Sequence, residues 1–239
     1  MNFTNVRNQL LENPLVLPEC TVDTHNKVFM QEWEDYMAEF PDKRNKFVLD
    51  DEGQPNIETR FAKGGTTALE CFSQGIEYCL RSMMPRGYTW LYAREIMADL
   101  SEKKNKVLDY GCGAGNFGLL FALMGFNVDF LDVEGEITDF VKWRLKKRYL
   151  NCRVLNEKDK LTETYDLVNC WTVIEHIENY KEVIEIVCNA VKPNGLLFFV
   201  TSTEESGLDV MPKTGETWVR EFIKERFEEV TGGILFRKK

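Results

Sequence analysis

The chain has 239 residues, 44% hydrophobic and 12% aromatic, with 30 Lys and Arg against 39 Asp and Glu, for a net charge of -9. This balance excludes a disordered or fibrous chain, allows a sizeable buried core, and weighs against nucleic acid as a partner, because affinity for a phosphate backbone comes from clustered cations. No run approaches the roughly 18 apolar residues that span a bilayer, and Met1 to Leu11 lacks the positive start and apolar centre of a signal peptide, so a cytoplasmic protein with no membrane segment is expected.

In chain order, Phe29, Trp33, Met37 and Phe40 stand at helical spacing among acidic residues, which predicts one amphipathic helix over 29–40. Pro41 ends it. Lys43 to Lys63 holds Asp50, Asp51, Gly53, Pro55 and Asn56 and reads as a turn-rich loop. Thr66 or Thr67 can cap a helix running to Met83, with Glu70 as the capping-box partner of Thr67. Pro85 and Gly87 break that helix, and Tyr88 to Leu100 resumes helical periodicity. From Lys106 the pattern alternates. Strands are predicted at 107–110, 127–131, 153–155, 166–170 and 196–201, with helices over 116–124, 137–150 and 180–191. A helix at 216–226 follows, and strands at 227–230 and 234–237 flank Gly232-Gly233 as a hairpin that sets one strand antiparallel. The expected fold is α/β: a doubly wound, mostly parallel seven-stranded sheet with an antiparallel last strand. Residues 1–100 form an N-terminal helical cap and residues 101–239 the core in this reading.

The stretch Val107-Leu-Asp-Tyr-Gly111-Cys-Gly113-Ala-Gly115-Asn-Phe-Gly118 places a glycine-dense turn between a strand and a helix, where helix amides and the helix dipole meet a ligand. Gly113, Gly115 and Gly118 satisfy the G-x-G-x-x-G dinucleotide pattern, and Asp132 lies nineteen residues past Gly113, where a ribose-binding acid is expected. A NAD-dependent oxidoreductase is therefore one reading. It is disfavoured because Asp109 and Gly111 intervene between the strand and the triplet, and because the chain after the core leaves little room for a substrate domain.

The pattern Asp109-x-Gly111-x-Gly113-x-Gly115 resembles the first motif of the class I S-adenosylmethionine-dependent methyltransferases, and three more segments continue the resemblance in order. Asp132 closes the second strand. Tyr165-Asp-Leu-Val-Asn-Cys-Trp-Thr-Val-Ile-Glu-His176 is similar to the fourth strand and Glu-His ending of the ubiquinone-type small-molecule methyltransferases, and Val191-Lys-Pro-Asn-Gly195 resembles the loop before their fifth strand. The resemblance implies S-adenosyl-L-methionine as cofactor. Gly111, Cys112, Gly113 and Gly115 would lie along its methionine portion, and Asp109 would compensate the ammonium or orient the turn. Asp132 would accept both ribose hydroxyls, and Val133 would cover one face of the adenine. The adenine edge falls to Asn156, Glu157 or Lys158, while Cys170 and Trp171 at the end of the fourth strand would face the sulfonium and the acceptor. The absence of a full helix between Leu155 and Tyr165 departs from the family pattern.

His176 is the first candidate for a general base and Glu175 the second; His176 can equally be a packing residue at a helix start. Lys142, Arg144, Lys146, Lys147 and Arg148 form a basic run that reads as a solvated helix face rather than a nucleic-acid patch. Arg60 to Gly65 reads as a plain helix entry before an anion loop, and Trp33, Tyr36, Trp90 and Tyr92 as packing or acceptor-pocket residues. Two histidines and seven cysteines with no Cys-x-x-Cys pair predict reduced thiols and no metal site. The expected partner is a small-molecule methyl acceptor bound under the N-terminal cap, in a monomer or homodimer. A non-catalytic relative of the same fold that serves as a cofactor-binding or interaction protein is the remaining alternative.

Overall fold

The computed structural model describes residues 22–44, 105–123, 125–201 and 210–239. The expected loop beyond Arg44, the helices at 67–83 and 88–100, the Arg60 to Gly65 turn, and Trp90 and Tyr92 lie outside these residues. Among these residues two helices come first, α1 (Val22–Glu39) and the single-turn α2 (Pro41–Arg44). α1 starts at Val22 rather than Phe29. Pro41 ends it and opens α2, at a position where its missing N–H leaves no helical bond unmade.

The core follows as β1 (Lys106–Tyr110), α3 (Asn116–Leu123), β2 (Asn127–Asp132), α4 (Glu136–Lys147), β3 (Arg153–Asn156), β4 (Tyr165–Trp171), a 3-10 turn (Ile174–His176), α5 (Tyr180–Ala190), β5 (Val191–Val200), α6 (Lys213–Arg226), β6 (Phe227–Thr231) and β7 (Leu235–Lys238). One seven-stranded sheet holds them in the order β3-β2-β1-β4-β5-β7-β6. β7 pairs antiparallel with both β5 and β6 and runs against the other six strands. The chain winds outward from β1 through β2 to β3, then returns to β4 on the other side of β1. That reversal opens a crevice at the carboxyl ends of β1 and β4, where such sheets bind ligands.

Both faces of the sheet are covered, so its strands are buried on both sides and read as near-continuous apolar runs. Val107, Val128, Phe130, Leu167 and Phe198 pack beneath α3 and α4, while Leu108, Leu131, Val168, Leu197 and Phe199 pack beneath α5 and α6. Strict alternation thus divides each strand between two cores. Gly118 lets α3 lie close on β2, since a Cβ there would stand 2.3 Å from Phe130 Cε1.

Three boundaries differ from expectation. α4 stops at Lys147 because Tyr149 turns left-handed (φ 54). α6 begins at Lys213 rather than Glu216. β5 begins at Val191, which pairs with Tyr165, while Leu196 pairs with Leu167, so Lys192 to Gly195 loops out of the strand with Asn194 left-handed (φ 63). No helix forms between β3 and β4, as the short spacing implied.

The basic run on α4 splits, a correction to the solvated-face reading. Lys142, Lys146 and Lys147 are exposed, but the side chains of Arg144 and Arg148 are buried against Glu32 of α1. Around this ion pair Trp33 and Tyr36 pack edge-on to Phe140 at 5.9 and 5.1 Å, and Trp143 Nε1 donates to Glu39 (2.8 Å). Trp33 and Tyr36 are therefore packing residues. Among the described residues no helix is long and apolar enough to cross a membrane.

A polar cluster closes the amino ends of the strands. Asp129 on β2 accepts from Arg153 at 2.8 and 2.6 Å and from the Tyr165 hydroxyl at 2.9 Å, with Lys106 Nζ 3.4 Å away. Lys106 and Arg153 both reach on to Glu163. Burial alone would raise the Asp129 carboxyl, but the bonds from Arg153 and Tyr165 and the Lys106 charge outweigh it and hold it below its ordinary value.

Candidate functional site

The glycine turn leaves β1 at Tyr110 and enters α3 at Asn116. Gly111, Gly113 and Gly115 all have positive φ (65, 51 and 77), which a side chain would resist. At Gly111 a Cβ would also stand 2.3 Å from Val173 Cγ2, so two chain segments meet there with no room to spare. The turn is stitched by Cys112 N–H to Leu131 O (3.0 Å) and Gly115 N–H to Cys112 O (2.8 Å).

Two carboxylates, Asp109 buried and Asp132 partly buried, hold this turn from opposite sides. Asp109 accepts from the Gly118 amide (2.8 Å) and from Asn169 Nδ2 (2.6 Å), tying β1 to α3 and β4. Of the two roles the sequence allowed, this geometry matches orienting the turn. Burial pushes the Asp109 carboxyl up to about 7, against the lowering effect of its bonds to Asn169 and Gly118. Asp132, at the end of β2, accepts from the Gly113 amide (2.6 Å) and the Val133 amide (2.8 Å). Burial pushes it up to about 6, again opposed by those two amides.

Asp132 stands at the wall of a cleft of about 360 Å³ lined also by Tyr110, Gly111, Leu131, Val133, Ile137 and Glu157 on one side, and by Thr172, Val173, His176, Ile177, Asn179, Val183 and Ile186 on the other. The cleft is mostly apolar with a few convergent polar groups, and its size suits a small ligand. Of the residues singled out in the sequence, Gly111, Asp132, Val133, Glu157 and His176 come together here. Glu157 also accepts from the Glu134 amide (2.8 Å), which fixes the loop after β3 beside that after β2.

The other candidates lie elsewhere. Gly113, Cys112 and Gly115 form the turn behind Gly111, and the Cys112 thiol contacts the Gly113 carbonyl at 3.6 Å. Cys170 is buried in the layer beneath α5, and burial raises its thiol well above the ordinary value, which removes any nucleophilic character at neutral pH. Trp171 stacks obliquely on Phe198 at 5.0 Å. The segment just beyond β4 supplies the wall that these two were expected to supply: Thr172 and Val173 line the cleft. Thr172 has φ 49, a strained value for a β-branched residue, and its N–H is bonded to Val200 O at 2.8 Å. Glu175 is buried beneath the cleft; it accepts from the Thr201 hydroxyl (3.3 Å), and its backbone carbonyl accepts from the amides of Val210 and Met211. Among the described residues no group of three His, Cys, Asp or Glu side chains could hold a metal ion.

A doubly wound sheet with a glycine turn after β1 and an acid closing β2 defines a protein that binds an adenosyl-type cofactor at its switch point. The comparison with family models narrows this: residues 84–232 match the model of a methyltransferase domain, and the chain belongs to that family. It is 38% identical over 104 residues to a ubiquinone biosynthesis O-methyltransferase of Rickettsia prowazekii, covering 41% of this chain and 40% of the relative. It is 28% identical over 123 residues to a protein of the same name from Erwinia tasmaniensis, covering 49% and 51%. The chain thus spans about two-fifths to one-half of the length of these curated relatives. A solved protein from Pyrococcus horikoshii superposes with a TM-score of 0.48 at 21% identity, over 66% of this chain and 94% of that one.

Methyltransferases of this fold take their methyl group from S-adenosylmethionine, and the residues of the cleft fit it. Asp132 offers carboxylate acceptors for a ribose diol, Glu157 an acceptor for an exocyclic amine, Val133 and Val173 apolar surfaces for a flat base, and Gly111 a wall without a side chain.

Proposed function

We propose that this chain binds S-adenosylmethionine in the cleft and transfers its methyl group to the hydroxyl oxygen of a small molecule. The observation that carries the reading is the convergence of Gly111, Asp132 and Glu157 on one cleft at the carboxyl ends of β1, β2 and β3. When bound, the cofactor supplies a sulfonium methyl group already activated for displacement by an incoming nucleophile. The protein's task is then orientation. Asp132 accepts the two ribose hydroxyls, Glu157 takes the adenine amine, and Val133 and Val173 hold the base between them. Asp109 keeps the turn in place from behind by holding the Gly118 amide.

His176 lines the same cleft and is the residue that accepts the hydroxyl proton of the acceptor as oxygen attacks. Glu175 acts through it. Its bonds to Thr201, Val210 and Met211 fix the 3-10 turn that carries His176. Oxygen is favoured over nitrogen or carbon by the similarity to ubiquinone biosynthesis O-methyltransferases, and a net charge of -9 favours a small molecule over nucleic acid.

Calorimetry with S-adenosylmethionine, S-adenosylhomocysteine and NAD tests the cofactor, and a labelled-methyl assay over phenolic and aliphatic hydroxyl compounds tests the reaction. The expected result is binding of both sulfur ligands with NAD silent, and for His176→Asn a loss of at least about 100-fold in kcat with cofactor affinity kept. Binding of NAD, or of none of the three, overturns the reading.

A further inference from the structure

The glycine turn is held from outside the cleft as well as from within. Arg144 on α4 donates through Nη1 to Asn116 Oδ1 (2.8 Å), at the first residue of α3, and to the carbonyl of Ala114 inside the turn. The remainder of the same guanidinium faces α1, where Nε and Nη2 meet Glu32 Oε2 at 3.0 and 2.9 Å. Arg148 Nη2 pairs with the other oxygen of Glu32. All three side chains are buried, so these bonds are made out of reach of water. Ala114 directly follows Gly113, whose amide is held by Asp132 on the cleft side. One stretch of backbone is therefore gripped on one side by the residue expected to hold ribose and on the other by a cation that also grips α1.

A guanidinium is a rigid planar fork whose donors cannot move independently. If Glu32 shifts, the fork turns, and the donor to Ala114 turns with it. Charge works the same way: without Glu32, two buried arginines lose their shared counter-ion, and the cation that orients the turn sits in an unfavourable field. We infer that Glu32 is a positioning residue for the cofactor, acting through Arg144 on the Ala114 carbonyl, so that seating of α1 on α4 and binding in the cleft strengthen each other. Among the described residues none of α1 lines the cleft. The inference rests on the proposed cofactor reading, and by linkage the effect is reciprocal.

Amide hydrogen exchange of the full chain, with and without saturating S-adenosylhomocysteine, tests it alongside calorimetry of the same ligand. In the wild type the ligand is expected to slow exchange across residues 31–40 at least fivefold, at the lower end of ordinary coupling strengths of about 5- to 150-fold. Arg144→Lys retains a cation but has one point donor where the fork had several. It should abolish the slowing in α1 and leave the slowing at 111–118 in place. Glu32→Gln should weaken the ligand about tenfold. A merely structural pair would lower the melting temperature of the free and bound protein alike, with affinity and the α1 response unchanged, and that result overturns the coupling. The wild-type exchange comparison decides alone if Glu32→Gln does not fold. Ligand binding with no response in α1 overturns the coupling and leaves the cofactor reading standing; no ligand binding to the wild type overturns both.

Discussion

Asp129 and Asp132 lie three positions apart on β2 and on opposite faces of the sheet, Asp129 buried within the strand and Asp132 partly buried at its carboxyl end, and their surroundings are opposite too. Asp129 is met by Arg153, Tyr165 and Lys106, side chains that are present whatever the cleft contains, and its carboxyl is held below the ordinary value. Asp132 is met by the amides of Gly113 and Val133, and its carboxyl is pushed up to about 6. A carboxylate compensated by the protein's own cations is a fastening of the scaffold. One that is partly buried, with backbone amides rather than cations for partners, retains acceptor capacity and has a perturbed titration, the combination that marks a functional group.

Exchanging the two acids is the strongest way to break this contrast. Asp132→Ala is expected to weaken S-adenosylhomocysteine by about 100-fold, the loss of two hydrogen bonds to one carboxylate at about 1.5 kcal/mol each. Its effect on stability should be small, since only two amide contacts are lost. Asp129→Ala should do the reverse. It leaves the Tyr165 hydroxyl without its acceptor and the two cations with only the part-exposed Glu163, costing on the order of 2 kcal/mol after allowance for the solvent around the half-exposed Arg153, while ligand affinity stays within about twofold. Chemical denaturation and calorimetry on the two variants measure both quantities. Equal effects of the two variants on affinity would refute the division of labour.

Titration sharpens the same contrast. Asp109 and Asp132 have folded values of about 7 and about 6 against 3.8 in an ordinary carboxyl. In that window the native state binds more protons than the unfolded state, so the stability these groups contribute is full below about pH 4 and is lost as the pH rises through 6 and 7. Asp129 works in the opposite sense: its contribution is present above the ordinary carboxylate value and is lost as the pH falls. Asp109→Asn should therefore flatten the decline in unfolding free energy between pH 5 and 8, relieving on the order of 3 kcal/mol at the upper end. Cofactor affinity should run the other way, tightening between pH 5 and 7.5 as Asp132 ionises and becomes a full acceptor. A stability curve for Asp109→Asn parallel to that of the wild type would show that the buried acid is not the titrating group.

The parts of the site that were legible in the sequence are those made by local chemistry. A glycine turn between an apolar strand and a helix, and an acid at the end of the next strand, are set by neighbours in the chain. Cys170 and Trp171 were expected in the cleft because they end β4, but consecutive strand residues point to opposite faces, and each is claimed by one of the two cores. The wall is made one step further on, where Thr172 takes a left-handed turn that no propensity favours. Arg144 was read as solvated because it lies in a basic run. Its spacing from Phe140 placed it on the apolar face, yet the partner that makes burial tolerable is 112 residues away and cannot be read from periodicity. The same holds for Asp129, whose partners, two cations and a hydroxyl, come from three different strands.

Glu163 gives the smallest expected effect and the cleanest boundary to the contrast. It stands outside the Asp129 cluster, 44% exposed, pairing with Lys106 and with Arg153 at 2.7 Å. Lys106 and Arg153 keep Asp129 as a buried partner when Glu163 is removed, so neither cation is stranded. An exposed pair also gives up side-chain entropy to form and is weakened by counter-ions. Glu163→Gln should lower the melting temperature only slightly, and the difference from the wild type should vanish near 1 M salt, where the screening length is about 3 Å. Asp129→Ala should keep most of its deficit in the same buffer, because its bonds are shielded from ions by the sheet. If salt erased both deficits equally, the amino-terminal cluster would be a surface feature, and Asp129 would no longer serve as the buried, compensated counterpart of Asp132.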